Sequence, residues 1–192
     1  TWYCNDSSIT VTLKEVPGNY RIAIYLLDWD APVGGLQKHL QVTVTSGGAW
    51  DDVTLGTTFK ENFAAGVYAI FEVNSDGIIE VEVVNLDYPA LPEHKRYAVI
   101  SGIFLDSIGP VAGVNFIGLD RGTMGNWRPH YFNDYYLLPG FNVPISGVIY
   151  KPIVKPYDET NIPSGNYEVS LGVCQYAADD ARTYGGYPYI GQ

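Results

Sequence analysis

Asp28 and Asp30 flank Trp29 at the end of an apolar run, YLLDWD, and this is where residue types and spacing first allow chemistry. On a strand, side chains alternate between faces, so the two carboxylates share one face and Trp29 takes the other. Calcium takes about six to eight oxygen ligands, which makes a pair of carboxylates only a weak calcium candidate. The competing reading is a pair of acceptors that tie down the loop at residues 32–35. Glycosidase chemistry needs a second carboxyl group at a set distance across a sugar, and spacing along the chain does not encode that separation.

His39, His94 and His130 stand singly, without an H-E-x-x-H spacing, and no G-x-S-x-G elbow supplies a nucleophile. They read as surface or packing residues. Gly185-Gly186 lacks the lysine and hydroxyl residue of a phosphate cradle. The chain therefore reads as a protein that is not an enzyme and carries no cofactor or metal.

Cys4 and Cys174 lie near opposite ends, and neither sits in a C-x-x-C or metal-ligand spacing. A disulfide is the leading reading, and two buried free thiols are the alternative. Asn5-Asp6-Ser7 makes Asn5 a glycosylation candidate, which has consequences only outside the cytosol. Both features favour an extracellular or cell-surface location.

These residues need elements to position them. With 192 residues, 46% of them hydrophobic, the chain suits one large all-β domain or one domain with an elaborated second layer. Eleven Lys plus Arg against 21 Asp plus Glu give a net charge of −10, which opposes binding to nucleic acid or to an anionic membrane surface. No run of about 18 apolar residues is present, so no membrane insertion is expected. The chain begins at Thr1 rather than Met and reads as processed or excerpted.

Alternating, β-branched segments at residues 8–13, 20–27, 40–45, 67–73, 78–84 and 98–105 predict strands. Pro17-Gly18-Asn19, residues 32–35, Gly47-Gly48 and residues 74–77 predict the turns between them. Helical periodicity is poor throughout, with at most one turn near residues 176–182. The expected fold class is all-β: an antiparallel two-sheet β-sandwich, jelly-roll-like, with little or no helix. Residues 139–172 carry five prolines around apolar runs, so their strands are expected at sheet edges, where a missing N–H is tolerated.

Phe116, Gly118, Asp120, Thr123, Gly125, Asn126, Trp127 and Tyr131 follow the pattern F-x-G-x-D-x-x-T-x-G-N-W-x-x-x-Y. Asp180 and Arg182 form a D-x-R, Thr1-Trp2-Tyr3 a T-W-Y, residues 20–30 a strand ending in Y-L-L-D-W-D, and residues 101–104 an S-G-I-F. Together these resemble a jelly-roll, galactose-binding-like, carbohydrate-binding-module-like domain of secreted bacterial glycoside hydrolases, in a rotated order. Residues 1–112 resemble the C-terminal part of that module. Residues 113–192 resemble its N-terminal part plus a Pro-rich strand insertion, and complete either the same sandwich or that of a neighbouring copy. The resemblance implies sugar stacking for Tyr131, Tyr135, Tyr136, Tyr184, Tyr187 and Tyr189, with Arg128, Asn133 and Asp134 as hydrogen-bonding neighbours. Aromatics equally dominate protein interfaces. For Trp127 the resemblance implies a structural turn and core plug.

Three arrangements satisfy the rotated order: a permuted monomer that closes on itself, one repeat of a tandem polyprotein, or a subunit whose C-terminal strands complete the next copy. The expected function is a secreted, non-enzymatic structural subunit that assembles head to tail with copies of itself into an extracellular filament. The alternative is a carbohydrate-binding module with glycans as partners.

Overall fold

The computed structural model describes residues 2–4, 8–27, 39–55, 66–87, 98–123, 126, 130–131, 135–137, 151–152, 166–170 and 174–176. Residues 2–4, 135–136, 151–152, 166–170 and 174–176 are described as strand backbone. The strands in chain order are β1 (Trp2–Cys4), β2 (Ser8–Leu26), β3 (Leu40–Ser46), β4 (Ala49–Leu55), β5 (Val67–Asn85) and β6 (Ala98–Ile100). They continue with β7 (Gly102–Ser107), β8 (Val114–Asp120), β9 (Tyr135–Leu137), β10 (Lys151–Pro152), β11 (Asn166–Ser170) and β12 (Cys174–Tyr176). The protein is all-β: every ladder is antiparallel, and no helix occurs among the described residues.

The 19-residue strands β2 and β5 pair along their whole length and form the spine of a nine-stranded sheet. The first half of β2 takes β11 on its other edge, and the second half takes β7, which carries β9. Likewise β5 takes β8 beside its first half and β3, followed by β4, beside its second. The spine thus has two arms. The first arm runs β10-β11-β2-β5-β3-β4, and the second runs β9-β7-β2-β5-β8.

The joint between the arms revises two expectations. Pro17-Gly18-Asn19 and residues 74–77 read as turns between separate strands, yet both lie inside continuous ones. Their positions explain this, because Pro17, Gly18 and Asn19 pair with Asp76, Ser75 and Asn74, so the two irregularities coincide across one ladder. Gly18 (φ 131°) and Gly77 (φ 129°) take conformations open chiefly to glycine, and Glu15 (φ 60°) is a bulge residue without a ladder partner. One extra residue exchanges odd for even positions. Ile9, Val11 and Leu13 are buried before the bulge and Ile22, Ile24 and Leu26 after it, so the inner face stays inner.

The spine must bend at this joint. Val81 and Phe71 would lie about 33 Å apart on a straight strand. Their ladders lead to Asp51 by way of Val44, and to Phe116, and the Phe116 N–H donates to Asp51 Oδ2 at 2.6 Å. The bend therefore brings the outer strands of the two arms together. Inner side chains of both arms, with Ala98, Val99 and Ile100 of β6, form one core.

The expected strand at residues 98–105 is divided at Ser101, whose N–H donates to the Tyr25 carbonyl at 2.7 Å. Before this point β6 joins β1; after it β7 joins β2. The three-stranded sheet β12-β1-β6 places the last described strand beside the first. Gly47 and Gly48 (φ 56° and 80°) form the expected two-residue hairpin turn between β3 and β4. Pro152 lies in β10, at the rim of its sheet, as a strand proline requires. Tyr176, at the start of the segment read as a single helical turn, lies in β12; residues 177–182 fall outside the described residues.

Candidate functional site

Among the described residues, a group of polar and aromatic side chains lies on the outer face of the second arm. Residues 22–27 read IAIYLL and residues 67–71 read VYAIF, unbroken apolar runs in which both faces of the sheet need cover. Inner residues go to the main core; Ala23, Tyr25, Leu27 and Tyr68 form a second cluster with Phe104 of β7 and Tyr131, and Ile70 packs against it. Tyr25 and Tyr68 are cross-strand partners, their rings stacked with centroids 4.5 Å apart and planes 20° apart. The Tyr131 ring also packs against Tyr68, tilted by 30° with centroids again 4.5 Å apart, and lies 6.2 Å from Phe104. Offset stacks of this kind contribute roughly 0.5–1.5 kcal/mol each beyond the area they bury.

Asp120 holds Tyr131 there. At the end of β8, its Oδ1 accepts the N–H groups of Gly122 (2.8 Å) and Thr123 (3.0 Å). Its Oδ2 accepts the Thr123 hydroxyl (2.5 Å) and the Tyr131 phenol (2.6 Å). The Asn126 N–H then closes the turn on the Thr123 carbonyl at 2.9 Å. A carboxylate offers about four acceptor positions, so this one is saturated. Partial burial alone raises the Asp120 carboxyl, but the hydrogen bonds from Thr123, Tyr131 and Gly122 outweigh it and hold the group at about 2.

Burial, and then the neighbouring tyrosines and Asp120, push the Tyr68 phenol well above the usual range. Burial, the bond to Asp120 and its charge do the same to Tyr131. At neutral pH the group is thus one ionised acceptor and two neutral phenols. An acceptor with no vacant lone pair is a poor proton acceptor for a substrate, and phenols this hard to ionise are poor nucleophiles. The arrangement clasps Gly122, Thr123 and Tyr131 to the end of β8.

Among the residues singled out from sequence, Tyr131 is 7% exposed and packs in the second cluster. Phe116 packs edge-on against Phe71 at 5.2 Å, and Thr123 is buried in the clasp. Tyr135 and Tyr136 lie on β9 opposite Leu105 and Phe104. Cys4 and Cys174 are cross-strand partners in the β1–β12 ladder. His39 Nδ1 lies 3.5 Å from Asp87, and His130 is exposed beside Tyr131. Asn5, Asp28, Asp30, His94, Trp127, Arg128, Asn133, Asp134, Asp180, Arg182, Tyr184, Tyr187 and Tyr189 lie outside the described residues. Among the described residues, no group of three or more His, Cys, Asp and Glu side chains is placed to hold a metal ion, and no helix is long and apolar enough to cross a membrane.

Two features escaped the sequence reading. Trp50 on β4 is 64% exposed, and Tyr25 and Tyr68 anchor the second cluster. The signal for the tyrosines was present in the unbroken apolar runs, which contrast with the strict alternation of ITVTL at residues 9–13. No protein-family model, curated protein or solved structure matches the chain.

Proposed function

We propose that the chain is a non-enzymatic structural subunit that assembles head to tail outside the cell by exchanging its C-terminal strands between copies. The observation that carries this reading is how the C-terminal strands attach. The β10–β11 pair adds to the outer edge of β2, and β12 adds to β1, each through a backbone ladder to the N-terminal part of the chain. Identical strands from a neighbouring copy make identical ladders, and a head-to-tail exchange whose rotation does not close builds a filament. The saturated state of Asp120 supports a structural over a catalytic role for the most elaborate cluster described. Electron microscopy and light scattering over a concentration series test the reading. Filaments or a growing mass are expected, and a monomer at every concentration overturns it.

A second reading, a carbohydrate-binding module of the galactose-binding-like type, is favoured by the resemblance of the D-x-x-T segment and by Trp50. An indole 64% exposed on the outermost strand of the first arm offers a flat apolar face of the kind that stacks on a sugar ring. A glycan array read by fluorescence, repeated with Trp50→Ala, separates the two. Hits lost in the variant support the module, and an array without hits counts against it.

A further inference from the structure

The β1–β12 ladder pairs Trp2 with Tyr176, Tyr3 with Gln175 and Cys4 with Cys174. The chain has two cysteines, and they occupy one register position although roughly 170 residues separate them. Directly opposed residues of an antiparallel pair lie on the same face of the sheet, with Cα atoms about 4.5 or 5.5 Å apart according to the hydrogen-bonding position. Both spacings fall within the range of about 4.4–6.8 Å that a disulfide spans. On its other side Cys4 is paired in register with Ala98 of β6.

We infer that Cys4 and Cys174 form a cross-strand disulfide that fastens the C-terminal strand to the N-terminal one. A low-molecular-weight disulfide such as oxidised glutathione is the oxidant. One cysteine thiolate attacks it to give a mixed disulfide and releases one glutathione thiolate. The thiolate of the other cysteine then attacks the protein sulfur of that mixed disulfide and releases the second. Two protein thiols are oxidised and one glutathione disulfide is reduced to two thiols, which take up the protons.

The bridge has work to do at this place. Among the described strands β12 is the outer one of its sheet, with three ladder pairs to β1, and so short a pairing is marginal in water without further support. A link that closes so long a loop constrains the unfolded chain strongly. The inference is independent of strand exchange, because the same register yields the same bridge within one chain or between neighbouring copies.

The test is thiol mapping of the full-length wild-type protein after incubation with a mixture of reduced and oxidised glutathione. Unreacted thiols are alkylated without reduction, and the digest is examined by mass spectrometry. The expected result is one cross-linked peptide pair containing Cys4 and Cys174, which reducing agent separates. Two alkylated cysteines, or two separate glutathione adducts, overturn the proposal.

Thermal melts provide a second readout. Reductant, Cys4→Ser, Cys174→Ser and the double variant should lower the melting temperature to a common value. A melt that reductant does not move overturns the bridge even if a serine variant fails to fold. Non-reducing electrophoresis of the same sample addresses the assembly separately: a ladder of bands indicates bridges between copies, and a single monomer band places the bridge within the chain.

Discussion

The two arms of the bent sheet share the same pair of long strands, yet the first is buried on one face and the second on both where it carries Ala23, Tyr25, Tyr68 and Phe104. In the first arm, Thr10, Thr12 and Lys14 on β2, Thr43 and Thr45 on β3, and Glu80 and Glu82 on β5 alternate with core residues and remain partly or fully exposed. Their counterparts in the second arm are Ala23, Tyr25, Tyr68 and Phe104, all buried. The difference comes from what lies over the sheet. Tyr131 lies over the outside of the second arm, its phenol held by Asp120, and its ring covers that of Tyr68. A strand's composition thus follows the number of its covered faces, and a cover must have its own fastening.

The sharpest way to break this contrast is Tyr68→Ala, which removes the ring that contacts both Tyr25 and Tyr131. It should cost about 3–5 kcal/mol in chemical denaturation. A loss under about 1 kcal/mol would mean that the outer cluster is not a second core.

Gly66 comes next. It has φ 83°, and an added Cβ would run into the Tyr25 ring, so Gly66→Ala combines backbone strain with a clash and should cost about 2–4 kcal/mol. Gly48 in the first arm has φ 80° and open space, so Gly48→Ala should cost only about 1 kcal/mol. Equal melting temperatures for the two variants would remove the asymmetry.

Asp120→Asn should cost about 1–2 kcal/mol at neutral pH by weakening the clasp. Its pH dependence has a definite sign. The carboxyl goes from 3.8 to about 2 on folding, so its stabilisation is present above about pH 4 and is lost as pH falls through about 2. Because the group is partly exposed, solvent screening reduces that linked part to roughly 1 kcal/mol. Urea titrations between pH 2 and 6 should show the wild-type advantage over the variant shrinking toward acid. A constant gap would show that charge contributes nothing to the clasp.

The smallest effect is expected for Glu80→Gln, on the exposed face of the first arm, within about 0.5 kcal/mol. A larger loss would reveal a cover over that arm as well.

Strand positions were legible in the sequence because alternation and β-branching are local signals. The reach of the strands was not. Pro17-Gly18-Asn19 and residues 74–77 carry real turn chemistry, and locally they are irregular, as Gly18 and Gly77 attest. That the two irregular stretches face each other, and so bend a ribbon instead of ending four strands, is a fact of pairing that neither stretch contains. Asp120, Thr123 and Tyr131 were visible as a spaced pattern. Their roles appeared only once the turn at Gly122 aimed two N–H groups and two hydroxyls at one carboxylate. The cysteine register was beyond sequence for the same reason, since strands so far apart in the chain meet only in the fold.

The direction of the β1–β12 ladder has a mechanical consequence. The outward end of β1, at Trp2, and the outward end of β12, at Tyr176, are partners in the same rung. Tension applied to the two ends of the chain therefore opens the ladder like a zipper, one rung at a time, rather than shearing all three at once. Only two rungs can open before the pull reaches Cys4 and Cys174. Where those two sulfurs are joined, force arriving from either side passes through a covalent bond and leaves the bent sheet behind it unloaded.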